Sequence, residues 1–145
     1  MENLSAILDA AQKIAMVLTV VLMLVSALAL IISGIGIMNI MLVTVTERTR
    51  EIGLRMAVGA ARRDVLEQFL AEAVLISMGG GVIGILIGVA IPLSVQFFTD
   101  EVQVPISPIS IIVAFSVSLL VGLIFGILPA NKASRLNPTE ALRYE

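Results

Sequence analysis

The side chains able to carry chemistry in this chain are few, and most of them sit in two short stretches. There are nine Lys and Arg, eleven Asp and Glu, and neither histidine nor cysteine. Without thiolate or imidazole, the thiol nucleophile, the disulfide, the usual general base and the usual zinc ligands are all missing. No catalytic residue, cofactor-binding residue or metal ligand is expected. The densest charged group is Glu47, Arg48, Arg50, Glu51 and Arg55, whose chemistry is ion pairing and hydrogen bonding to a partner surface or to lipid headgroups. As a bare charge run it supports nothing stronger. Gly79-x-Gly81-x-x-Gly84 formally matches the dinucleotide fingerprint, with Asp100 and Glu101 downstream. That fingerprint works only at a strand-to-helix turn in water, whereas here it lies inside an uncharged apolar run. No G-x-x-x-x-G-K-[ST] loop is present to cradle a phosphate.

The elements that must position the charged cluster are apolar. Of the residues, 59% are hydrophobic and 14% charged, and the mean hydropathy is +1.08, against about one-quarter charged in an ordinary soluble domain. Three uncharged stretches, 14–46, 73–99 and 102–131, each exceed the about 20 residues that a spanning helix needs. A soluble chain of 145 residues could not supply the shell to bury three such helices. The fold class is all-α integral membrane: three transmembrane helices with an outer stalk extension, a cytoplasmic coupling helix and a short C-terminal cytoplasmic helix. The parts expected are a stalk over 1–13, spans within 14–46, 62–99 and 108–130, a transverse helix over 47–61, an outer turn over 100–107 and a tail over 131–145.

Lys and Arg number one before the first apolar run, five between the first and second, none between the second and third, and three after the third. Basic residues are retained on the cytoplasmic side, so 47–72 and the tail belong inside, and residues 1–13 and the turn at Asp100 and Glu101 outside. The N-terminus is not basic and lacks an A-x-A-like cleavage site. A chain that starts outside without a cleavable signal is expected to follow an earlier span and outer domain, missing here or separately encoded. Lipid is the one partner that composition itself requires, and no nucleic-acid partner is expected.

Along the chain, Leu4, Leu8, Ala11 and Ala15 recur at helical spacing and predict an amphipathic helix running into the first span. An uncharged run of 33 residues would extend about 50 Å, past a hydrocarbon core of about 30 Å, so its start is expected to protrude. Between the first and second spans, Ile52, Met56 and Ala60 share a helical face, and Glu51 and Arg55 form an i,i+4 pair. Gly59 is placed to end that helix in a left-handed conformation. Gly80, Gly84 and Gly88 form one small-residue strip, and Ser118, Gly122, Gly126 and Ala130 another. In lipid such strips admit a neighbouring backbone, so the two are expected to face each other or a second copy. Pro92 is expected to bend or loosen the second span near its outer end. Asn39 is the most polar residue deep in a span and is expected to bond to another helix. Asn137-Pro138-Thr139-Glu140 reads as a helix start, with a short helix to about Tyr144.

The stretch Glu-Arg-Thr-Arg-Glu-Ile-Gly-Leu-Arg-Met-Ala-Val-Gly-Ala over 47–60 closely resembles the signature of MacB/FtsX-like permeases. Gln-Phe-Leu-Ala-Glu-Ala over 68–73 and the tail from Pro129 to Glu145 resemble later parts of the same family, nearest its MacB-like members. The resemblance implies an ABC-transporter permease of the bacterial inner membrane, transmitting motion between a cytoplasmic ABC ATPase and an outer domain or adaptor protein. Family members have four spans and act as dimers, and this chain is similar to their C-terminal half. On that resemblance Glu47, Arg48, Arg50, Glu51, Ile52, Gly53, Arg55, Met56 and Gly59 form the ATPase-coupling helix. Its charged residues make polar contacts to the ATPase or the subunit base, and Ile52 and Met56 provide the apolar seat. ATP hydrolysis is expected on a separate domain or subunit. The alternatives are an FtsX-like regulatory relay that translocates nothing, and an autonomous three-span protein.

Overall fold

The computed structural model describes residues 2–98, 105–137 and 141. The described secondary structure is entirely helical: α1 (Glu2–Glu47), α2 (Thr49–Ala57), α3 (Arg62–Phe98) and α4 (Pro108–Ser134). Three of these, α1, α3 and α4, are long and apolar enough to cross a membrane, because each satisfies its backbone polar groups internally while offering lipid an apolar surface. Two compact units are distinguished, 1–33 and 34–145.

The first unit is helical, and every residue from Leu4 to Ser33 is exposed. Two of its hydroxyls turn back on the helix. Thr19 Oγ1 donates to the Ala15 carbonyl at 2.8 Å, and Ser26 Oγ to the Leu22 carbonyl at 2.7 Å. A hydroxyl bonded this way can face hydrocarbon without an unmet donor.

The second unit is held by α3 lying along α4. Ser77 Oγ donates to the Ser118 carbonyl, and Ser118 Oγ donates to the Ser77 carbonyl at 2.6 Å. Each hydroxyl thus reaches the other helix's backbone, which requires the two helices to approach closely. Small residues permit it. A Cβ added at Gly122 would stand 2.7 Å from Ser77 Cβ and 3.0 Å from Val74 Cα, and one at Gly126 would stand 2.6 Å from Ala73 Cβ. Gly81 likewise lies against Ser118, and Gly34 of α1 lies against the Phe125 ring.

Within the unit the two expected strips do not face each other. Ser118, Gly122 and Gly126 do pack inside the unit, but their mates are Ala73, Ser77 and Gly81 rather than Gly80, Gly84 and Gly88. The latter three are exposed, with nothing within 4 Å of an added Cβ. The reason is angular: residues 73, 77 and 81 repeat at four and share a face, and Gly80 starts a parallel row about 100° away.

Below the seam a core forms where α1 and α4 end and α3 begins. It contains Met41 and Val45 from α1, Ile52 from α2, Val65, Phe69 and Ala73 from α3, and Ala130 and Ala133 from α4. This packing carries α4 through Pro129 to Ser134. A proline in a helix interior removes one hydrogen bond, but Ala130, Ala133 and Ser134 are buried in the next turn and hold it in register. Pro92 similarly lies inside α3 without ending it. At the start of α4, Ser107 is extended and Pro108 occupies the first turn, where its missing N–H is no loss. The expected outer turn falls mostly on residues outside those described. Of the expected tail helix only Ala141 is described besides Asn137. Its N–H donates to the Asn137 carbonyl at 2.9 Å, and it is buried. Asn39 is exposed on α1 rather than bonded within the bundle.

Gly126→Val is expected to overpack the seam and destabilise the protein by about 1–3 kcal/mol, whereas Gly84→Val should change stability far less. Unfolding of the two variants side by side in detergent micelles measures the difference.

Candidate functional site

The charged cluster is built around α2, and each end of that helix is made differently. On the α1 side the hydrogen-bond ladder runs through the corner. Arg48 N–H donates to the Thr44 carbonyl at 3.0 Å, and Ile52 N–H to the Arg48 carbonyl at 3.0 Å. Thr49 Oγ1 reaches back to the carbonyls of Val45 and Thr46 at 3.0 and 2.8 Å. On the α3 side the ladder stops. Gly59 has φ +113°, its N–H donates to Met56 O at 3.1 Å, and the Ala60 N–H donates to Arg55 O at 3.0 Å. These are the paired bonds of a Schellman C-cap, which needs a residue free to adopt positive φ. The Ala61 N–H then donates to the Asp64 carboxylate at 3.1 Å, satisfying an orphan donor at the start of α3.

Helical spacing divides α2 into three faces. Ile52 and Gly53 are buried and Met56 is half-buried, all turned into the chain's own core. Arg48, Glu51 and Arg55 lie along a flank beside α3. Arg55 donates to Glu51 at 2.5 Å and to Gln68 Oε1 at 2.8 Å, and Arg48 is 3.9 Å from Glu72. The third face carries Arg50, Leu54, Ala57 and Val58, all exposed, with Leu54 at 56% and Val58 at 83%. Glu47 is exposed at the corner.

The arrangement alters the expected division of roles. Ile52 and Met56 do provide an apolar seat, but it is filled by Val65, Phe69 and their neighbours within the chain. Arg48 and Arg55 are engaged by α3 and by Glu51. The apolar part of the open surface is Leu54 and Val58, beside Arg50, while Arg48, Glu51 and Arg55 stay about half exposed along the flank. Those two apolar residues were missed because the inward face at 52 and 56 accounts for the amphipathic pattern by itself. Gln68 and Glu72 were missed as partners because no sequence spacing shows which face of α3 meets α2. Among the described residues no group of acidic side chains is arranged to hold a metal.

Residues 14–138 match the family described as FtsX-like permease C-terminal. The chain is 48% identical over 143 residues to the macrolide export ATP-binding/permease protein MacB 1 of Yersinia pestis, covering 99% of this chain and 22% of that protein. It is 47% identical over 143 residues to the macrolide export ATP-binding/permease protein MacB of Escherichia coli K12, with the same shares. It is 48% identical over 140 residues to the probable syringafactin export ATP-binding/permease protein SyfD of Pseudomonas syringae, covering 97% of this chain and 21% of that protein. The chain therefore spans about a fifth of the length of the curated relatives it matches.

Because the cap at Gly59 depends on positive φ, substitutions there should follow backbone tolerance rather than size. Gly59→Asn is expected to be mild, Gly59→Ala to cost about 1 kcal/mol and Gly59→Val more. Denaturant unfolding of the three variants gives the order.

Proposed function

The chain belongs to the FtsX-like permease family, and from that premise we propose that it is the coupling part of an ATP-driven exporter, which works as a dimer with a cytoplasmic ABC ATPase. The observation that carries this reading is the open face of α2. Arg50, Leu54 and Val58 are exposed on a short helix whose opposite face is buried and whose ends lead directly into two spans. Leu54 and Val58 are the apolar anchors for the ATPase, and Arg50 and Glu47 are the polar contacts at their rim. An interface of that composition, with a desolvated apolar centre and a charged edge, is how docking surfaces are commonly organised.

The positive-inside pattern supports the side on which the ATPase must lie. Arg48, Arg50, Arg55, Arg62 and Arg63 gather at the start of α3, and Lys132 and Arg135 at the end of α4, which points this end of the bundle at the cytoplasm. The first residues then lie outside, as a stalk toward an outer domain or adaptor. ATP hydrolysis is assigned to sequence or a subunit outside residues 1–145, in keeping with relatives whose names join ATP-binding to permease. Export is preferred to an FtsX-like regulatory relay because those relatives are named for the export of macrolides and of syringafactin. Movement of the ATPase would displace α2, and with it the spans on either side.

Leu54→Glu with Val58→Glu in the complete transporter is expected to leave membrane insertion intact while lowering ATP-driven export by about tenfold or more, since two hot-spot anchors are lost. Undiminished export in a correctly inserted variant would sink the assignment. Orientation has a separate test in this cysteine-free chain. A cysteine placed at Ala60 should react with a membrane-impermeant maleimide only in inverted vesicles, and one at Ser5 only in right-side-out cells.

A further inference from the structure

The backbone between α2 and α3 is jointed at Gly59, yet side chains bridge that joint from both ends of α2. Arg48 stands at the start of α2, 3.9 Å from Glu72. Arg55 lies near its end, with one guanidinium nitrogen donating to Gln68 at 2.8 Å and the other to Glu51 at 2.5 Å. Gln68 and Glu72 are one turn apart on a single face of α3. Between the two ties, Ile52 is 3% exposed in a core with Val65 and Phe69 of α3. Apolar contacts hold the helices together without fixing a direction, whereas a guanidinium with two oxygen partners is directional.

From this juxtaposition we propose that Gln68 and Glu72 are positioning residues. They clasp α2 through Arg55 and Arg48 and fix its angle on α3, so that displacement of α2 reaches the second span through side chains rather than through the backbone at Gly59. The inference deepens the exporter reading and rests on it. In this scheme the arginines of the signature stretch serve two ends: Arg50 faces the ATPase, and Arg48 and Arg55 face inward to α3. The ion pairs are about half exposed, so removing the acceptors leaves the apolar core and the fold in place.

The test uses the complete transporter in lipid nanodiscs, with nitroxide labels on Ala57→Cys and Ala71→Cys, two exposed positions on α2 and α3. Gln68→Met with Glu72→Met keeps side-chain length and removes the acceptor for Arg55 and the charge that pairs with Arg48. Before ATP is added, the distance distribution between the labels should broaden clearly in this double variant and return toward the unaltered width in Gln68→Glu, which keeps an acceptor for Arg55. In unlabelled protein, ATP-driven export should fall by about threefold to tenfold in the double variant, with the ATPase still bound in a pull-down. An unchanged distribution overturns the clasp. A broadened distribution with full export overturns its role in positioning. Loss of export through loss of ATPase binding does the same, because a clasp acts after docking. If the unaltered protein shows no ATP-driven export, the exporter reading fails, and the distributions recorded without ATP still decide the clasp.

Discussion

Close approach between α3 and α4 is the constraint on which the second unit depends. Within a bilayer no hydrophobic force draws helices together, and association has to come from tight packing and hydrogen bonds between them. The paired serines supply both. Ser77 and Ser118 each donate to the other's backbone carbonyl, and they can do so only because Gly122, Gly126, Ala73 and Gly81 leave no Cβ or a small one between the helices. Interhelical bonds of this kind are individually modest, about 0.6 kcal/mol on average. The glycines therefore matter more for the contacts they allow along the whole seam than for any one bond.

From that seam follows the placement of the charged end. With α3 and α4 aligned, the start of one and the end of the other meet, and the last turns of α1 close the core through Met41 and Val45. The short helix α2 is held at that end: its inward face is occupied by Ile52, and the ladder through Arg48 ties it to α1. What the fold leaves uncovered on it is a charged flank at Glu51 and Arg55 and an apolar surface of Leu54 and Val58 beside Arg50. The family membership and the open face are independent observations, one from sequence similarity and one from exposure.

Much of this was legible from the sequence, for physical reasons that differ by element. Three long uncharged runs leave a chain of this size no alternative to spanning helices, so α1, α3 and α4 were readable from composition and length. Gly59 was readable because a glycine after an amphipathic stretch has a specific backbone use. The seam was readable in half: Ser118, Gly122 and Gly126 were found, but Ala73 and Ser77 were passed over in favour of the more conspicuous glycines at 80, 84 and 88. Small-residue spacing shows that a helix can be approached, and three dimensions are needed to show which approach occurs. At the site, helical periodicity gave the inward row at Ile52 and Met56, while the partners Gln68 and Glu72 depend on an angle between helices that no periodicity records.

The hydroxyls that turn back on their own helices have a mechanical consequence. Besides Thr19 and Ser26, Thr44 donates to the Ile40 carbonyl at 3.0 Å, Ser94 to Ala90 at 2.7 Å and Ser116 to Ile112 at 2.8 Å. Each accepting carbonyl then divides its attraction between a hydroxyl and the regular helical N–H, which softens the helix and favours a slight bend at that turn. Long helices built this way are not uniform rods. Their compliance is concentrated at a few marked turns, so that a span can flex at chosen depths while the stretches between them keep their shape.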